Sequence, residues 1–162
     1  MTITTPFSIL LVCLGNICRS PLAEGLLRQA AERKDINLRV ASGGTGGWHV
    51  GNPPDPRSQA VAAEHGLDIS SQRAHQVTVH DLDHYDLVLA MDSNNLRDLK
   101  TLAKTDAQRQ KIHLFLGYAG LEESDGPDVF DPYWDDSGFA GVYDLIAKAA
   151  DRIVNRLGVA QE

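Results

Sequence analysis

Phe7-Ser8-Ile9-Leu10-Leu11-Val12-Cys13-Leu14-Gly15-Asn16-Ile17-Cys18-Arg19-Ser20-Pro21 is the stretch whose reading decides the fold. Its first six residues are mostly apolar and short, which predicts a buried strand. Ser20-Pro21 predicts a helix start, with serine as N-cap and proline at the first helical position. The residues between form a loop from the C-terminal end of a strand to the N-terminal end of a helix. Unpaired backbone N–H groups and the positive end of the helix dipole converge there, which makes the loop an anion site.

The loop carries its own chemistry. A cysteine at a helix N-terminus beside an arginine has its thiolate form stabilised, and the thiolate is the nucleophilic form. Cys13 is therefore a candidate nucleophile, against the plainer reading of a packed core thiol. Arg19 offers a planar fork of donors suited to two oxygens of a tetrahedral oxyanion. Gly15 and Asn16 most readily take positive φ, which lets successive N–H groups turn inward as a nest. Ser20 can cap the helix and can donate a hydroxyl hydrogen bond towards the sulfur. Thiolate, inward amides and arginine are the parts needed for phosphoryl transfer to cysteine.

Outward from the loop, strands and helices alternate. Leu22, Leu26, Leu27 and Ala30 form an apolar stripe on a helix from Pro21 to about Lys34. Leu38 to Ser42 reads as a second strand, ended by Gly43-Gly44-Thr45-Gly46-Gly47, and a loop with Trp48, His49 and three prolines follows. Asp55-Pro56 opens a helix to about His65, with Gly66 as its stop. Leu87 to Met91 is a third strand, and Asp92-Ser93 starts a helix to about Lys104. Lys111 to Leu116 is a fourth strand, Gly117 to Gly138 a loop, and Phe139 to about Leu157 a last helix. This alternation predicts an α/β domain with a four-stranded parallel sheet flanked by helices, with the anion loop after strand one. Ligands of such sheets bind at the carboxyl ends of the strands, where that loop lies.

Composition narrows the function classes. The chain has 162 residues, 43% of them hydrophobic, enough for one domain with a real core. No apolar run is long enough to span a bilayer. Met1-Thr2-Ile3-Thr4-Thr5-Pro6 lacks a basic region, so the apolar run that follows is read as a strand rather than a signal peptide. The two cysteines do not make a secreted disulfide framework, and a reducing cytoplasm is expected. A net charge of −7 argues against a nucleic-acid surface. Positive potential must therefore be local, from the loop amides and Arg19, with Arg57 and Arg73 as further candidates. No third and fourth ligand stands at zinc spacing, so no metal is expected.

Phosphate-ester hydrolysis also needs an acid. The segment 125–136 offers five carboxylates, Asp125, Asp128, Asp131, Asp135 and Asp136, at a spacing unlike a calcium loop. The residues alone do not choose among them.

The stretch Val12 to Pro21 resembles the phosphate-binding loop of the low-molecular-weight protein tyrosine phosphatases. Asp55-Pro56-Arg57, Ala90-Met91-Asp92, Asn95-Leu96-Arg97-Asp98-Leu99 and Asp131-Pro132-Tyr133 follow in the family's order, so the resemblance covers roughly residues 7–157. It implies a single such domain over 1–162 that hydrolyses phosphotyrosine monoesters of protein substrates without cofactor. Cys13 would be the nucleophile, Arg19 the phosphate clamp and Asp131 the general acid and base. The loop residues Leu14, Gly15, Asn16, Ile17, Cys18, Arg19 and Ser20 would bind the phosphate. Asn16, Ser20, Ser42 and Gln72 would support the loop, and Trp48, Tyr133 and Trp134 would form the substrate rim, although a lone loop aromatic commonly serves as a packing anchor. Cys18 would be the partner of Cys13 in a reversible oxidation. A monomer acting on no nucleic acid or membrane is expected.

The chain also departs from the family. Gln72 stands where members often have histidine, His75 where they have arginine, and Trp134-Asp135 is an unusual pair. Ile17 is bulkier than the threonine of related phosphoarginine phosphatases, which favours phosphotyrosine. An arsenate reductase of the same fold needs further cysteines, and none follows Cys18. A phosphate-binding module without catalysis would be favoured by loss of Cys13, Arg19 or Asp131, and all three are present.

Overall fold

The computed structural model describes residues 6–161 of the chain; Met1 to Thr5, most of the segment read above as lacking a basic region, and Glu162 lie outside the described residues. The elements run β1 (Phe7–Cys13), α1 (Arg19–Arg33), β2 (Leu38–Gly44), α2 (Pro56–Glu64), α3 (Asp81–His84), β3 (Leu87–Ala90), α4 (Ser93–Leu102), α5 (Asp106–Gln110), β4 (Ile112–Leu114), α6 (Phe115–Tyr118), α7 (Glu122–Asp125) and α8 (Phe139–Gln161). Two 3-10 turns, Pro132–Trp134 and Asp136–Gly138, precede α8. The four strands form one parallel sheet in the order β2-β1-β3-β4.

β1 is buried on both sides because its alternate residues face different helix layers. Ile9, Leu11 and Cys13 join the cluster under α1 and α8, while Leu10 and Val12 join Val88, Ala90 and Leu99 under α4. From β1 the chain crosses to β2 on one side and later to β3 on the other. The carboxyl end of β1 is therefore the switch point, and a crevice opens there. In register, Cys13 pairs with Gly44 and Val12 with Ala90, so three strand ends meet at one level.

Several expectations shift. Helix α1 starts at Arg19, with Cys18 at the N-cap and no side-chain cap bond. Ser20 is thus inside the first turn rather than at its cap, and Pro21 is tolerated because first-turn N–H groups lack helical partners anyway. The strand expected over residues 111–116 is only Ile112–Leu114, and the apolar run continues as α6 with Phe115 and Leu116 fully buried. A short apolar run does not distinguish a strand from a buried helical turn. The expected loop 117–138 contains α7 and both 3-10 turns, and α3 and α5 are additional. Helix α2 stops at Glu64, before Gly66 at φ 76°, as the glycine signal indicates.

Candidate active site

The loop after β1 is held from outside through its carbonyls. Thr45 N–H donates to Cys13 O (3.0 Å), Gly46 N–H to Leu14 O (2.9 Å) and Asp55 N–H to Ile17 O (2.8 Å), and Ser58 Oγ–H donates to Cys18 O (3.2 Å). With the carbonyls turned out, the N–H groups are left to the concave side. Those of Gly15, Ile17 and Cys18 have no acceptor among the described residues, and Asn16 N–H points at Cys13 Sγ (3.3 Å). This is the nest geometry for an anion. Only Asn16 of the two expected residues takes positive φ, at 58°. Gly15 does not need it, and the close approach belongs to Gly44 instead. A Cβ there would lie 2.9 Å from Leu14 O and 3.1 Å from the Gly15 carbonyl carbon.

Behind the loop, Asn16 Oδ1 accepts from His75 N–H (2.9 Å), which fixes its amide so that Nδ2 donates to Ser20 Oγ (2.8 Å) and Ser42 Oγ (3.0 Å). Ser20 Oγ lies 3.0 Å from Cys13 Sγ. Since Ser20 already receives a proton from Asn16, its own is available to the sulfur. Gln72 is not in this cluster. Its Nε2 donates to Pro21 O (3.0 Å), and its Oε1 is buried without a partner, so it touches α1 one turn away from the loop.

Arg19 is 2% exposed and is clamped from one side. Nη1 donates to Asp92 Oδ2 (2.7 Å) and to Val129 O (2.9 Å), while Nη2 sits 3.6 Å from Asp131 Oδ2. Nε is buried and unpartnered. Burial opposes its charge, but Cys13, Asp92 and Asp131 outweigh burial and hold the guanidinium above its ordinary range. The Nε and Nη2 edge is left for a ligand, in the two-pronged geometry an oxyanion accepts. Asp131 starts the first 3-10 turn, with Oδ1 accepting from Tyr133 N–H (3.1 Å), and about a third of its side chain is exposed to the cavity side. Cys18 is buried, and its thiol is pushed up to about 12, first by burial and then by Asp55.

Cys13, Ile17, Cys18, Arg19 and Asp131 share one cavity of about 250 Å³ with Leu14, Gly15, Trp48, His49, Tyr133 and Trp134. Trp48 and Trp134 stand exposed at its mouth, and Trp134 meets Tyr133 edge-on at 4.7 Å. Arg57 and Arg73 do not line it. Arg57 is engaged by Asp55 and Asp136, and Arg73 donates to the carbonyls of Ser70 and Gln72. Sequence reasoning gave no site role to Asp92, Gly44, His49 or Ser58. Asp92 had a usable signal, since it follows a buried strand at the carboxyl edge of the sheet. No cluster of three or more metal-ligating side chains occurs among the described residues.

A parallel α/β sheet whose first strand ends in a buried thiol, ringed by free amides and a half-filled guanidinium, defines a phosphate-handling cysteine protein. The sequence profile of the low molecular weight phosphotyrosine protein phosphatases matches residues 8–162, and the chain belongs to that family. It is 38% identical over 149 residues to the Bacillus subtilis low molecular weight protein-tyrosine-phosphatase YfkJ, covering 91% of this chain and 93% of that one. A Schizosaccharomyces pombe low molecular weight phosphotyrosine protein phosphatase is 40% identical over 144 residues, with 86% and 90% covered. Among solved structures, Bacillus subtilis YfkJ superposes with a TM-score of 0.90 at 35% identity, covering 98% of this chain and 99% of that chain. Vibrio vulnificus Wzb in complex with benzylphosphonate superposes with a TM-score of 0.81 at 31% identity, covering 93% and 98%.

Proposed function

We propose that this chain hydrolyses phosphotyrosine in protein substrates through a phosphocysteine on Cys13, with Asp131 as general acid and then general base. The observation that carries this reading is the shared cavity. Cys13 Sγ, the unfilled edge of Arg19, the loop amides and Asp131 open into one space with aromatic walls. In the first step the thiolate attacks phosphorus in line, the P–O bond to the ring breaks, and the Asp131 carboxylic acid protonates the departing phenolate. In the second, Asp131 takes a proton from water, the hydroxide attacks phosphorus, and inorganic phosphate and the thiolate are released. Arg19 and the amides of residues 14–20 meet the charge on the non-bridging oxygens in both steps, so no metal is called for. Asn16, Ser20 and Ser42 hold the loop, and Gln72 holds the first turn of α1 through Pro21 O.

Trp48, Tyr133 and Trp134 suit a flat ring entering edge-on between two loops, and Ile17 narrows the base. The benzylphosphonate bound by the Vibrio vulnificus relative has this shape, an aryl ring one atom from a tetrahedral phosphorus. Cys18 is the proposed redox partner: a peroxide oxidises Cys13 to sulfenic acid, and the Cys18 thiol displaces water to give a disulfide that external thiols reduce. Two free thiols favour a reducing compartment, proposed to be the cytoplasm. No helix among the described residues is long and apolar enough to cross a membrane. A monomeric single domain with no nucleic-acid or membrane partner completes the reading.

The test is hydrolysis of p-nitrophenyl phosphate and phenyl phosphate. Cys13→Ser should abolish turnover while phosphate still stabilises the protein. Asp131→Ala should lower kcat for phenyl phosphate by about 10²–10⁴-fold, and less for the better p-nitrophenolate leaving group. Normal turnover by Cys13→Ser would refute the mechanism.

A further inference from the structure

The hydrogen bonds behind the loop do not end at Ser42. Ser42 Oγ donates to Glu24 Oε1 (2.8 Å), and Glu24 Oε2 accepts from Arg28 Nη2 (3.0 Å). The same Arg28 nitrogen donates to Val40 O (2.8 Å), tying α1 to β2. Glu24 is a buried carboxylate, whereas Arg28 is half-exposed.

The direction of every bond in this series is set by its ends. Asn16 is fixed by His75 N–H, so its Nδ2 is the donor to both serines. Ser42, already a recipient, has only its own proton to offer, and the Glu24 carboxylate accepts it. Ser20, the other recipient, has its proton free for Cys13 Sγ at 3.0 Å, since the competing acceptor, Gly43 O, is at 3.5 Å. The series therefore runs from a carboxylate that holds Ser42 at one end to a hydroxyl aimed at sulfur at the other, with Asn16 joining the two. The carboxylate also brings a negative charge behind a loop that must hold a thiolate, and like charges disfavour one another. Arg28 is the cation that cancels it.

We propose that Arg28 is a positioning residue for the nucleophile: by seating and neutralising Glu24, it keeps Ser20 aimed at Cys13 and spares the thiolate an uncompensated negative neighbour. This rests on Cys13 being the nucleophile. Other charged or titratable groups also face the thiol. They are Arg19 and Cys18 in the loop and first turn of α1, Asp131 from the loop before α8, and His49 from the loop after β2; Asp92 acts through Arg19. Glu24 faces Arg28 on its own helix and Ser42 on β2. Arg28→Gln leaves all of those other groups in place.

The experiment is the pH profile of Cys13 alkylation by iodoacetamide, followed by intact mass, with p-nitrophenyl phosphate kinetics alongside. Arg28→Gln should slow alkylation roughly threefold to tenfold near pH 6, with rates converging where the thiol is fully ionised. The loss in turnover should appear in the acid limb of kcat/KM, with KM little changed. Arg28→Lys should restore the profile, and so should Glu24→Gln combined with Arg28→Gln, which removes the stranded charge. Arg28→Met serves in place of Arg28→Gln should the latter fold poorly. An unchanged profile in a folded variant would overturn the inference and leave the phosphatase reading standing. So would a slowed profile that the double variant does not correct, because a purely structural anchor gives that pattern. Turnover by Cys13→Ser would instead overturn the reading beneath it.

Discussion

Asp92→Ala should be the most destabilising single truncation around the cavity, because Asp92 performs two jobs with its two oxygens. Oδ2 pairs with Arg19 Nη1 at 2.7 Å, and Oδ1 accepts from Asn95 N–H at 2.7 Å as the N-cap of α4. Arg19 is 2% exposed, so removing its closest partner strands a buried charge. Breaking such a pair costs about 3–5 kcal/mol, and the lower end applies because Val129 O and Asp131 remain within reach. The lost cap adds about 1 kcal/mol, for a total of about 4 kcal/mol. For a chain of this size that is a fall in Tm of roughly 8–16 °C. Asp92→Asn is the finer probe. Its single carbonyl oxygen can serve the cap or the guanidinium, and whichever it leaves then faces an amide donor. Its cost should be about 1.5–3 kcal/mol, that of one hydrogen bond to a charged group. Urea melts of both variants, with and without phosphate, measure these values. Phosphate should raise the midpoint of the parent protein more than that of either variant, because Arg19 is the proposed clamp for the anion. An Asp92→Ala protein within about 1 kcal/mol of the parent would refute the claim that Asp92 carries the Arg19 charge.

Three further outcomes follow from particular contacts. Burial and Asp55 push the Cys18 thiol up to about 12, so at neutral pH iodoacetamide should modify Cys13 alone, and labelling of Cys18 at a comparable rate in a peptide map would contradict this. Gly44→Ala places a methyl group 2.9 Å from Leu14 O, so it should weaken phosphate binding by displacing the loop even though it lies outside it; unchanged inhibition by phosphate would show that the loop yields freely. Asp55 is held below the ordinary carboxylate range, first by its hydrogen bond from Arg57 and against some burial. Its contribution to stability is therefore present above the ordinary carboxylate value and lost as pH falls through the lowered one, so Asp55→Asn should flatten that part of the acid unfolding curve.

What could be read from the sequence was what depends on neighbours along the chain. β1, the loop after it, the stripe of α1 and the glycine stop after α2 are local patterns of burial, capping and backbone freedom. Ser20 shows where local rules mislead. It has the composition of an N-cap, but the cap falls two residues earlier, at Cys18, which leaves its hydroxyl for Cys13. Residues 111–116 show the limit of apolar runs, which turned from strand to helix at Phe115. The supports for the loop come from across the sheet: Gly44 and Ser42 from β2, Asp92 from the end of β3, and His75 through its backbone alone. No spacing along the chain encodes those meetings. The resemblance implies a place for Gln72 beside Asn16 and Ser42, whereas its amide lies against Pro21.

The central claim is that the phosphoryl group passes through Cys13. Rapid acid quenching of p-nitrophenyl phosphate turnover, followed by peptide mapping, measures this directly. A burst of p-nitrophenolate and one phosphoryl group on the peptide containing Cys13 are expected, absent from Cys13→Ser and longer-lived in Asp131→Ala. Turnover without phosphoenzyme in any of these proteins, or a phosphoryl group on another residue, would contradict that claim.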